Sequence, residues 1–90
     1  MPRYLVERTF PEHVALPGLD QGAQARWTFI ENNTLDGVTW IHSYVAPDRK
    51  KSFCVYDAPT PEAVRRAAQR NGLPVDRITE VYLLDPYGGA

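Results

Sequence analysis

Ninety residues leave room for one core and one domain. An apolar fraction of 43%, a charged fraction of 23% and a net charge of -1 describe an ordinary globular chain without the basic stripe that nucleic-acid binding needs. No apolar run approaches the ~20 residues of a membrane span, Met1-Pro2-Arg3-Tyr4 opens no signal-peptide stretch, and Cys54, the single cysteine, cannot form an internal disulfide, so the composition predicts a cytoplasmic protein.

Residues 3–10, rich in Tyr, Leu, Val, Thr and Phe, predict a first strand that Pro11 stops. A proline-bearing loop over residues 11–19 follows, with Asp20 as N-cap of a helix over residues 20–34. Ala23, Trp27, Ile30 and Thr34 fall at helical spacing and predict its packed face. Gly37 breaks the helix, residues 38–45 form a second strand, Pro47-Asp48 a turn, and residues 52–57 a third strand. Arg49-Lys50-Lys51 is a solvated turn tip. Thr60-Pro61-Glu62 combines an N-cap, a proline at the first helical position and an acid in the first turn. Ala63, Val64, Ala67 and Ala68 then supply a small-residue stripe that ends at Asn71-Gly72, with Pro74 beyond. The last strand is predicted over residues 78–84.

This order, βαββαβ, is the ferredoxin-like pattern: an α+β fold with a four-stranded antiparallel sheet, strands one and three central, and two helices on one face. The other face is left open, and a second copy of so small a chain is the natural cover, giving a dimeric α+β assembly.

Period-two alternation assigns Ile41, Val45, Phe53 and Val55 to the core face and Trp40, His42, Tyr44, Cys54 and Tyr56 to the open one. Tyr4, Val6, Val81 and Leu83 point inward on the same argument, Leu5, Glu7, Thr9, Glu80 and Tyr82 outward, and Ser43 toward the helices. The even pairing register that follows sets His42 opposite Cys54 or opposite Tyr56, ~5–7 Å from the thiol in either case. An open face with an imidazole, a thiol, two carboxylates and four aromatics is a ligand site, a metal site or a subunit interface. Each residue alone has a plainer role: an interface histidine, a small buried cysteine, packing aromatics, solvated strand-end acids. Together, His42, Cys54 and Glu7 are a donor set suited to zinc, nickel or copper, with Trp40, Tyr44, Tyr56, Glu80 and Tyr82 around the ligand. His13 in the loop is a solvated histidine. There is no Cys-x-x-Cys, no His-x-x-x-His, no phosphate loop and no Ser–His–acid order.

Trp40-Ile-His-Ser-Tyr-Val45, Lys51, Cys54-Val-Tyr-Asp-Ala-Pro59, Glu62-Ala-Val-Arg65, Gly72, Pro74, Asp76, Ile78, Glu80-Val81 and Asp85-Pro86, with Tyr4-Leu-Val-Glu-Arg8 at the start, together resemble the small bacterial family of the domain of unknown function numbered 4242. The resemblance covers nearly the whole chain. It implies a ferredoxin-like fold, a dimer and, from at least one member, nickel binding. Two departures stand out: Ala67 occupies a helix position where relatives often carry a His, and both the proline-rich loop and the Trp27-bearing helix are atypical.

The function these residues favour is a small cytoplasmic homodimer that binds a transition metal at the open sheet face, nickel being the metal the resemblance implies. The alternatives are an enzyme of the dimeric α+β barrel kind, acting on a small organic molecule in an aromatic-lined cavity, and a cofactor-free interaction module.

Overall fold

The computed structural model describes residues 1–11 and 22–88. Most of the loop over residues 11–19, with His13, and the Asp20 cap lie outside the described residues. The elements run β1 (Arg3–Thr9), α1 (Gly22–Thr34), β2 (Thr39–Val45), β3 (Lys51–Asp57), α2 (Pro61–Asn71) and β4 (Arg77–Val81). The strands form one antiparallel sheet in the order β2-β3-β1-β4, so the predicted α+β ferredoxin-like architecture holds, with strands one and three central. No helix among the described residues is long and apolar enough to cross a membrane.

The second helix follows its local signals closely. The Thr60 side chain accepts a hydrogen bond from the Ala63 amide at 3.1 Å, and Pro61 opens the helix. Gly72 closes it in the left-handed region (φ 68), where the Leu73 amide reaches the Ala68 carbonyl at 2.9 Å. Ala63, Val64 and Ala67 are buried against Tyr4, Val6, Cys54 and Tyr56, and their small size brings the helix close to the sheet.

Two expectations fail here. The packed side of α1 is Ala25, Phe29, Ile30 and Asn33, so Ile30 packs as expected, while Ala23 and Thr34 are exposed and Trp27 is 59% exposed. Polar and apolar residues alternate around this helix without a continuous stripe, so nothing local announces which way it faces. Asn33 is buried because it serves the junction: its carbonyl accepts from the Val38 amide at 3.0 Å, and Asn71 joins it side chain to side chain at 3.1 Å. The last strand ends at Val81, so Leu83, expected inside, is 63% exposed.

Candidate functional site

The placement of the candidate residues turns on one bulge. Trp40 pairs with Tyr56, but His42 pairs with Val55 and Ser43 with Cys54, so Ile41 is an extra residue in β2. One inserted residue reverses the side on which every later residue of the strand lies. Trp40, Ser43 and Val45 therefore share the helix side, and His42 and Tyr44 the open side. In β3 the assignment is reversed outright. Val6, buried beneath α2, is opposite Cys54, and Tyr4 is opposite Tyr56. Directly paired residues share a face. Cys54 and Tyr56 thus lie under the helices, and Phe53 and Val55 on the open face.

The expected metal set is accordingly divided. His42 and Glu7 lie on the open face, two strands apart, and Cys54 is buried on the other side. His42 and Cys54 do not share a face, which overturns the even register assumed for the hairpin. Trp40 and Tyr56 leave the open face with Cys54. Glu80 pairs with Tyr4 and so lies on the helix side at the edge strand; its charge helps raise the Tyr4 phenol, after burial and ahead of Glu62. Tyr82 lies beyond β4, 91% exposed, in a shallow hollow beside Glu80 and the Arg3–Asp57 ion pair. No group of three or more His, Cys, Asp or Glu side chains that could hold a metal ion occurs among the described residues. A single chain's described residues do not fit a nickel centre.

The open face instead presents Leu5, Phe53, Val55 and Val81 as a half-buried apolar floor, edged by Tyr44 and His42. The His42 and Tyr44 rings meet edge to face, 5.2 Å between centroids at 81°.

The second site lies on the helix side, where sequence reasoning expected only packing. A cavity of about 60 Å³ opens between α1 and the sheet, walled by Phe10, Phe29, Trp40, Val45 and Leu73. Arg8, Asn33, Ser43, Ser52, Cys54 and Tyr56 bring polar atoms to it. Arg8 is 2% exposed. It donates a long 3.4 Å hydrogen bond to the Tyr56 hydroxyl, and its guanidinium carbon sits 5.7 Å from that ring's centroid. Its Nε has no hydrogen-bond partner. Burial pushes the Tyr56 phenol up to about 12, against the pull of Arg8 and with a further push from Cys54. Arg8, Asn33 and Ser52 went unnoticed in the sequence. The signal for Arg8 was its place in the inward series Tyr4, Val6, Arg8, Phe10, where a charge is out of keeping.

No curated protein matches the chain. The crystal structure of SCO4226 from Streptomyces coelicolor A3(2) superposes with a TM-score of 0.74 at 23% sequence identity, over 92% of this chain and 99% of that one, which shows the shared fold. The family model described as nickel responsive protein SCO4226-like matches residues 4–81, from the first paired strand through the last. That description carries the nickel part of the resemblance seen in the sequence and does not name the numbered domain. The chain belongs to the SCO4226-like family of nickel-responsive proteins.

Proposed function

We propose that the protein is a nickel-responsive homodimer, closed over the open sheet face, with His42 as the imidazole donor at that face. The observation that carries this reading is the exposed His42 beside a half-buried apolar sheet surface of Leu5, Phe53 and Val55 on which no described helix packs. The family's description supplies nickel as the metal. Since one chain's described residues offer no complete donor set, further ligands have to come from outside that set, and a second copy across the open face brings another His42 and another Glu7. The lone buried Cys54 suits a reducing compartment such as the cytoplasm.

Titration calorimetry with nickel, paired with light scattering, tests the reading. Wild-type protein takes up nickel as a dimer, more tightly as pH rises from acid toward neutral because protons compete for the imidazole. His42→Ala weakens uptake by about tenfold or more, on the scale seen when a metal site loses a supporting group. Cys54→Ala leaves nickel affinity unchanged, since its thiol lies on the far side of the sheet. Undiminished binding by His42→Ala, or loss of binding with Cys54→Ala in a folded protein, would overturn the assignment.

A further inference from the structure

We propose that the cavity beneath α1 is a binding site for a small organic carboxylate, held by Arg8. An arginine stays charged at any physiological pH, so burial cannot be relieved by releasing its proton. Among the described residues no carboxylate pairs with Arg8 and its side-chain hydrogen bond goes from Nη1 to Tyr56, while Nε, on the edge it shares with Nη2, has no partner. That edge presents two parallel N–H groups, the geometry a carboxylate accepts side-on.

The neighbouring polar groups are arranged as donors. The Trp40 indole N–H donates to Ser43 Oγ at 2.8 Å, so the Ser43 hydroxyl is left to donate its own hydrogen. The Cys54 thiol points at Ser52 Oγ at 3.9 Å, which leaves the Ser52 hydroxyl in the same position. Asn71 donates to Asn33 Oδ1, so the Asn33 NH₂ group is the end that remains. Three donor groups and a cation line this space, and no acid is among its described lining residues. Such a lining selects for an anion.

The walls decide which anion. The described lining residues hold one positive charge and no second cation, so the site neutralises a monoanion and not a phosphate dianion. Phe29, Trp40, Val45 and Leu73 offer an apolar wall for a short hydrocarbon tail. The cavity's size admits a carboxylate with a short tail and excludes a long fatty acid. Nickel has no part in this site, and the open face lies across the sheet from it, so the proposal stands or falls separately from the dimer reading.

The test uses the full chain with acetate, propionate and butyrate, against chloride and phosphate at matched ionic strength. Melting temperature and the ¹⁵N shift of Arg8 Nε are the readouts. The short carboxylates raise the melting temperature saturably and move the Arg8 signal, and chloride and phosphate do neither. Arg8→Met abolishes the carboxylate response. Ser43→Ala, which keeps the charge, weakens it by about tenfold, so the proposal remains testable if Arg8→Met does not fold. Equal responses to chloride and propionate, an unmoved Arg8 signal at saturating carboxylate, or a full response in Ser43→Ala together with Arg8→Met would overturn it.

Discussion

Tyr56 shows how one buried side chain can report on the helix side of the sheet. Its phenol is pushed up to about 12, chiefly by burial, against an unfolded value of 10.0. A group whose native value is raised contributes stability that is whole below the unfolded value and is lost as pH climbs through the native one. Unfolding free energy measured in urea should therefore decline from about pH 10 upward, by on the order of 3 kcal/mol once Tyr56 is ionised. Tyr56→Phe removes this part of the alkaline decline, and ultraviolet difference absorbance of the folded protein should show one tyrosine ionising last. A decline of the same size in Tyr56→Phe would place the cause elsewhere. The same residue marks where the sequence misled. Phe53 and Val55 are more apolar than Ser52, Cys54 and Tyr56, so hydrophobicity alone puts β3 the wrong way round. The polar-capable trio is inside because it meets Arg8 and the cavity, and the burial of Val6 opposite Cys54 was the constraint that could have corrected it.

At the scale of elements, legibility followed the strength of local signals. The Thr60-Pro61-Glu62 start and the Gly72 stop act through caps and backbone geometry within a few residues, and α2 lies where they put it. The bulge in β2 has no such mark: Trp40-Ile41-His42 contains no glycine, and the extra residue is defined only by its partners on β3. For α1, two faces were nearly equivalent in apolar content, and packing chose Phe29 over Trp27. Besides the bonds of Asn71 to Asn32 and Asn33, an ionic clamp joins the α1–β2 turn to α2. Asp36, with a nearly buried side chain, accepts from Arg66 at 3.1 Å and Arg70 at 3.0 Å, one turn apart on α2. The Arg70 hydrogen bond leads in holding its carboxyl below the ordinary 3.8; burial opposes, and Arg66 adds to the lowering. A depressed carboxyl contributes stability that is whole above the unfolded value and is lost as pH falls through the native one. Asp36→Asn should thus be destabilised at neutral pH and lose less stability than wild type below about pH 4. Urea midpoints across the acid range measure this, and parallel acid limbs for the two proteins would remove the clamp from the account.

The whole molecule has a covered side and an uncovered one. Both helices crowd the face that holds Val6, Cys54 and Tyr56, while half-buried Leu5, Phe53, Val55 and Val81 on the other face have no helix of the described residues packed on them. A chain this short buries a smaller share of its surface than a larger domain does, so an apolar sheet face left in water is a marked inefficiency that a second copy removes. Val55 is the sharpest probe of that surface. It lies on the central strand β3, directly opposite Leu5 on one side and His42 on the other, and it takes no part in the helix-side core. Val55→Asp should leave the fold intact by circular dichroism while placing a charge at the middle of the proposed interface. Dimer affinity should then fall by about a hundredfold or more, as for loss of a central interface anchor, seen as a shift to monomer in sedimentation at micromolar concentration. Trp40→Asp and Tyr56→Asp, on the helix side, should instead damage the fold itself. If Val55→Asp remains as dimeric as wild type, the sheet face is not the contact, and His42 loses the neighbour that the nickel reading assigns to it.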